Sequence, residues 1–389
     1  MNNSHAQNLE FPHWRSLPSD EINPSTALEN RFAAVENFQR TFAFRPGERV
    51  VMLLDRLLDP RVIHAITGLA LSRGATPSVY LSHTPQESVL PDEIKPLLDK
   101  ADFVISTWYC AISDPLANAL RERGQRWVKI TYFRNLDVLD TPAARFPIDV
   151  IGEIIRTTAS QYPKGKDFQL KVSDARGTDL RVDFTPQMRD KHLAGNRWRG
   201  VMTADEPGCY VHYVACHGPN LYDAWNPEDP TLEKVNGVLY PQGAIGFPGP
   251  FKDKIAIEIR RGLVTSVEGS SEEAKIFRDM LIGGFLSEVG CGFNPKASRF
   301  TAYPAGSNSP GALHFGIDFA EPSNYIKRVM PNWEEPPLHM DFVCFDMTAA
   351  AGATKLVDQG FLTALREPAV IAAASVYGEP VDLLENFPG

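Results

Sequence analysis

Val50-Val51-Met52-Leu53-Leu54, followed five residues later by Asp59-Pro60, is the stretch on which the fold turns. Five consecutive apolar residues mark a strand buried on both faces, as in a parallel sheet covered by helices. Asp59 is a helix cap and Pro60 suits a first helical turn. Val62, Ile63, Ile66, Leu69 and Leu71 then recur at helical spacing until Gly74-Ala75. Downstream, Ser78-Val79-Tyr80-Leu81, Asp102 to Ser106 and Trp127 to Thr131 read as further strands, with a helix from Asp114 to Arg123 before the last. Strand alternating with helix predicts an open, mostly parallel α/β sheet. No GxGxxG or GxxxxGK[ST] loop follows the first strand, which argues against a dinucleotide or P-loop site.

The second half changes period. Phe168 to Val172, Leu180 to Phe184 and Lys254 to Ile259 alternate apolar and polar residues, as half-exposed antiparallel strands do. One helix interrupts them, from Ser271 to about Phe285, with Ala274, Phe277, Met280 and Leu281 on one face. The expected architecture is α/β plus β-rich. It has an N-terminal extension over 1–45, an α/β domain over 46–160 and a mostly antiparallel β domain over 161–389. The first thirty residues are polar and read as flexible or loosely docked.

The chain has 389 residues and a net charge of -9, so no basic stripe is available for nucleic acid. No apolar run approaches the roughly 20 residues of a membrane span. The five cysteines lack CxxC spacing, which fits a reducing cytoplasm and buried thiols rather than a zinc-thiolate site.

His339-Met340-Asp341 lies in a strand-like run, so its imidazole and carboxylate share a face. Such a pair is half of a 2-His-1-carboxylate iron site, or of a zinc or manganese site. Glu288 and His314 are two further donors set in apolar, glycine-rich sequence. There an unpaired charge is costly, and one cation satisfies all four.

Several stretches carry a resemblance to a known family. They are Ala204-Asp205-Glu206-Pro207-Gly208 with His212, the Ile255 to Gly269 strand pair, and Glu273-Ala274 with Arg278-Asp279. Val289 to Ala297 and His339-Met340-Asp341 complete the set, with a looser match at Asp59-Pro60-Arg61 and Ala101 to Val104. In order and spacing they resemble the 2,5-dihydroxypyridine 5,6-dioxygenases, Fe(II) enzymes built on the fold of the aminopeptidase T-like metallo-aminopeptidases. The resemblance implies that His339 and Asp341 are iron ligands. The dioxygenases' other ligand histidine falls at Glu288, and their first-domain histidine falls near Ala111-Ile112. Glu288, His314, His339 and Asp341 match four ligands of the aminopeptidases. The fifth, a glutamate, is missing from Tyr240-Pro241-Gln242-Gly243-Ala244, and no catalytic tyrosine is evident after His314.

The chain therefore reads as a third variant with one metal and mixed His and carboxylate ligands. Two activities are implied. The first is an Fe(II) ring-opening dioxygenase using O₂ on a hydroxylated, pyridine-type aromatic, as in aromatic catabolism. In it, His212 is the acid/base or substrate contact, and Trp108, Tyr109, Tyr210 and Trp225 sandwich the ring. The alternative is a Zn or Mn hydrolase of a small amide, imine or ring, with Glu288 as ligand or general base. A cytoplasmic homo-oligomer completes the expectation, the oligomer by resemblance alone.

Overall fold

The uninterrupted apolar run does become a strand, β1 (Arg49–Asp55), with every residue after Arg49 buried. The computed structural model describes residues 24–83, 90–108, 110, 114–130, 133, 135–213, 218–224, 227–244, 250–297, 309–319 and 339–384. Helix α1 (Pro24–Phe42) precedes β1, and α2 (Pro60–Ser72) follows it, its first turn capped by the Asp59 carboxylate accepting from the Arg61 N–H. Strands β2 (Thr76–Ser82), β3 (Phe103–Ser106) and β4 (Arg126–Lys129) come next, with α3 (Pro115–Glu122) between the last two. All pair in parallel, as the alternating pattern predicts.

Helix α1 docks on the first sheet through its C-terminal half. Ala34, Phe38 and Phe42 of α1 are buried in the same apolar cluster as Val50, Met52 and Leu54. Arg126, at the start of β4, pairs in the interior with Glu48 and donates to the carbonyls of Ala43 and Ala204. Burying a charge requires such partners, and this one ties three distant segments together.

After α4 (Ile148–Ser160) the chain enters β5 (Phe168–Ser173) and β6 (Asp179–Phe184). It then returns to the first sheet. Strand β7 (Tyr210–His212) lies parallel to β4 and completes the order β2-β1-β3-β4-β7. Val150, Ile151, Ile154 and Ile155 of α4, meanwhile, belong to the core of the second domain. The two domains therefore exchange segments on either side of residue 160.

The second sheet is antiparallel. Its strands are β8 (Tyr222–Asp223), β9 (Val235–Leu239), β10 (Gly243–Ala244), β11 (Ala256–Arg260) and β12 (Leu263–Glu268). The remainder are β13 (Phe285–Cys291), β14 (Leu313–Asp318), β15 (His339–Cys344), β16 (Thr348–Ala351), β17 (Thr354–Asp358) and β18 (Phe361–Leu362). They run in the order β10-β15-β14-β13-β12-β11-β9-β6-β5-β16-β17-β18, with β8 paired to β13.

Helix α5 (Glu272–Leu281) packs on β12 with Ala274, Phe277, Met280 and Leu281 buried, the face its spacing predicts. It stops four residues short of the expected Phe285. Gly283 turns the chain with φ +89, and Phe285 opens β13 instead. Among the described residues no helix is long and apolar enough to cross a membrane. Cys110, Cys209, Cys291 and Cys344 are buried, whereas Cys216 lies outside the described residues.

Candidate metal centre

Three adjacent strands, β13, β14 and β15, present every candidate donor on one face. Directly opposed residues in an antiparallel pair share a face, and so do residues two apart along a strand. Gly290 faces His314, Glu288 faces Gly316, Gly316 faces Asp341, and Asp318 faces His339. Glu288, His314, Asp318, His339 and Asp341 therefore point the same way. The other face carries Val289, Cys291, Leu313, Phe315, Ile317 and Phe342, all buried in the larger core. A register shift between Leu286 and Glu288 aims the glutamate, because a β-bulge rotates the residue that follows it.

The two glycines within this patch leave the room it needs. A Cβ on Gly290 would lie 1.9 Å from His314 Nε2. A Cβ on Gly316 would lie 2.3 Å from His339 Cε1 and 2.5 Å from Glu288 Cγ.

Ligand atoms of Glu288, His314 and Asp341 lie within 4.8 Å of one another, all three residues buried. His314 Nε2 is 3.5 Å from Glu288 Oε1. His339 Nε2 is 3.2 Å from the same oxygen and 2.8 Å from Asp341 Oδ1. Its side chain is 19% exposed, against 2% for Glu288 and His314, so His339 stands at the open edge of the cluster. Behind it, His339 Nδ1 meets Asp318 Oδ1. Glu288 Oε2 accepts a 2.7 Å hydrogen bond from the buried Asn220 amide. A ligand imidazole that hands its second nitrogen to a carboxylate is the usual support of a metal-bound histidine. The donor set, its support and the space kept by two glycines fit a single divalent cation.

Charge explains the titration of the cluster. Burial would raise the Glu288 carboxyl, but hydrogen bonds and charge from His314 and His339 override it and hold it well below the usual range. Burial would lower both imidazoles, yet Glu288 pulls His314 up, and Asp341 with Asp318 pulls His339 well up. Without a cation, Glu288 and the two imidazoles thus favour one another's charged forms. An imidazole whose pKa rises on folding stabilises fully below its ordinary 6.5, and that contribution disappears as pH climbs through the raised value. Glu288, being lowered, contributes above its ordinary 4.5 and loses the contribution as pH falls through the lowered value. Chelator-treated protein is therefore expected to melt highest between the ordinary values, 4.5 and 6.5, and to lose Tm as pH rises above 6.5. Metal-loaded protein, whose ligand imidazoles are already neutral, should not show that loss. Thermal melts of both forms across this range check it, and parallel curves would contradict the assignment.

Asp318 and Asn220 escaped the sequence reading. The spacing His314, Gly316, Asp318 puts Asp318 on the ligand face by simple alternation, so it was available to find. Asn220 had no comparable signal, since its partner lies 68 residues away. Position 242 in the Tyr240 to Ala244 stretch is a Gln whose Oε1 accepts from the Phe345 N–H at 2.6 Å, a purely structural role.

The other predicted residues sit elsewhere. His212 is buried on β7, directly across from Lys129 of β4 and outside the donor cluster. With Arg197, Gly218 and Pro219 it lines a small cavity that also touches Ile151 and Ile155 of α4. Trp108 is 2% exposed and belongs to the apolar cluster of Leu53, Val104 and Leu120. Tyr210 packs at the edge of that cluster under the Arg121 guanidinium, 5.0 Å from its ring centroid, and burial pushes its hydroxyl pKa up. Tyr109 and Trp225 lie outside the described residues.

No protein-family model matches the chain, and no curated protein matches it by sequence. Solved structures do match. The structure of 2,5-dihydroxypyridine dioxygenase from Pseudomonas putida KT2440 superposes with a TM-score of 0.55 at 16% identity, over 87% of this chain and 97% of that one. Wild-type AmpT from Thermus thermophilus superposes with a TM-score of 0.50 at 13% identity, over 86% and 98%. A parallel five-stranded sheet joined to a large antiparallel one, over nearly the full length of both relatives, gives this chain the fold that the dioxygenase and AmpT share.

Proposed function

We propose that this protein is a mononuclear metal-dependent enzyme, and that its reaction is Fe(II)-dependent ring opening of a hydroxylated N-heterocycle by O₂. The observation that carries the reading is the convergence of Glu288, His314, His339 and Asp341 on one sheet face, with Asp318 holding the far nitrogen of His339. Two imidazoles and a carboxylate are the donor set of non-haem iron oxygenases. Among the described residues Glu288, His314 and Asp341 are the one group of donors all close enough to share a cation, with His339 at their edge, which suits one metal rather than two. The fold shared with a dihydroxypyridine dioxygenase supports the substrate class.

Ferrous iron held there would supply the activation of O₂ that ring cleavage requires, both oxygen atoms ending in the opened product. The protein's part is positional. Asp318 keeps a proton on His339 Nδ1, leaving Nε2 to face the centre. Asn220 fixes the outer oxygen of Glu288, so that its inner oxygen points towards the two histidines. The exposed edge at His339 is where a substrate would enter.

A specific observation favours a second reading. Glu288 makes the donor set richer in carboxylate than two histidines and one aspartate, which suits a Zn²⁺ or Mn²⁺ hydrolase with a water nucleophile. One assay separates them. Protein purified without oxygen and loaded with Fe(II) is expected to consume O₂ when given 2,5-dihydroxypyridine or a related hydroxypyridine. Turnover of small amides with zinc or manganese, and no O₂ uptake with iron, would replace the dioxygenase by the hydrolase. A homo-oligomer is part of the same proposal, checked by light scattering.

A further inference from the structure

A sheet ends in strands whose outer N–H and C=O groups have no neighbouring strand, and proteins shorten, charge or cover such edges. Among the described residues most edges are short. Strands β10 and β18, at the ends of the antiparallel sheet, have two residues each, and β7 has three. The outer strand of the parallel sheet, β2, has seven, Thr76-Pro77-Ser78-Val79-Tyr80-Leu81-Ser82, with no charge among them. None of these residues is buried, although β1 beside them is buried almost throughout. Val79 is 38% exposed and Leu81 57%.

Hydrogen bonds to the inner side fix which groups face outward. The Thr76 N–H donates to the Glu48 carbonyl, and the Ser82 carbonyl accepts from the Arg56 N–H, so even-numbered residues bond towards the sheet. Val79 and Leu81 therefore direct both N–H and C=O away from it, and Pro77 directs a carbonyl with no N–H. This edge is complementary to itself when run antiparallel. With Tyr80 on a two-fold axis, Val79 of one copy meets Leu81 of the other, and every N–H and C=O of the two residues finds a partner. Centred on Val79 instead, Leu81 would meet Pro77, whose missing N–H leaves a carbonyl unpaired. Because β2 carries no charge, meeting its own copy sets no like charges opposite one another. Val79 and Leu81 share a face, so their apolar side chains cover each other across the junction.

We propose that β2 pairs antiparallel with β2 of a second copy of this chain, about a two-fold axis at Tyr80, joining two five-stranded sheets into one. A two-fold contact uses the same patch on both copies and closes on itself. The inference rests on the homo-oligomer proposed above, to which it gives an interface and a symmetry, and is independent of the metal.

Light scattering of the full-length protein reads the assembly, and a cysteine variant reads the register. Wild type is expected to be a dimer. Val79→Lys combined with Leu81→Lys, at two exposed positions, sets lysine against lysine and should weaken the dimer at least tenfold with an unchanged circular dichroism spectrum. Leu81→Lys alone carries the comparison should the double variant fail to fold. Tyr80→Cys should form a disulfide-linked dimer on mild oxidation, because the Cα atoms of such a non-hydrogen-bonded pair lie about 4.5 Å apart. Wild type treated alike should not. A monomeric wild type overturns the dimer and the homo-oligomer together, leaving this edge to a strand of another protein. An oligomer that withstands the lysines, or a Tyr80→Cys protein that stays unlinked, overturns this interface while the homo-oligomer stands.

Discussion

His339→Ala is expected to strip the protein of its metal. Anaerobically purified wild type should carry about one ion per chain, as a single cluster of this kind holds. The variant should carry almost none, and metal-dependent turnover should fall with it. The size of the effect follows from position. His339 Nε2 is the donor shared between Glu288 and Asp341, and it is the donor at the solvent edge. Removing it takes a ligand away and leaves two buried carboxylates without the imidazole that now separates them. Asp318→Asn should act more gently, because the aspartate touches only the far nitrogen of His339. Loss of such support typically weakens metal binding roughly 10–100-fold. Elemental analysis of the three proteins, followed by titration with Fe(II) and Zn(II), reads both effects. Iron in the wild type directs assays to hydroxypyridines and O₂, zinc or manganese to hydrolysis. Equal metal in wild type and His339→Ala would remove the centre from this face.

Gly290→Ala is expected to damage the same centre without touching a donor. Its added methyl would sit 1.9 Å from His314 Nε2 and 2.0 Å from Cε1. The ring cannot step aside, since His314 is 1% exposed and β14 is hydrogen-bonded on both edges. Overpacking a closed interior costs about 1–3 kcal/mol, and here it also drives the donor nitrogen off its position. The variant should lose stability in denaturant melts and hold metal poorly. A double variant, Gly290→Ala with His314→Ala, should regain most of the stability and none of the metal, because the clash is gone and so is the ligand. Wild-type metal content in Gly290→Ala would mean that His314 is not a ligand. Gly316→Ala should behave alike through His339 and Glu288.

Much of this was legible in the chain, for a local reason. Hydrophobic periodicity and caps act over a few residues. The apolar run at 50–54, the Asp59 cap and the buried face of α5 therefore follow from their own segments. His339 and Asp341 declare a common face by being two apart in a strand, and Asp318 declares its own by the same rule. The end of α5 shows the limit even of local reading. The apolar pattern continues to Phe285, but Gly283-Gly284 release the chain, and Phe285 pairs with Asp318 across β14.

Sequence alone thus determined the two kinds of sheet, the helix faces and the donor types, all set by neighbours within a turn or a pleat. Tertiary structure alone decided which strands lie side by side, that a bulge turns Glu288 inward, and that Asn220 reaches it. It also decided that β7 crosses back to the first sheet, setting His212 beside Lys129. Those choices depend on pairings between segments tens to hundreds of residues apart. No local period encodes them, because their energies appear only when both partners are in place.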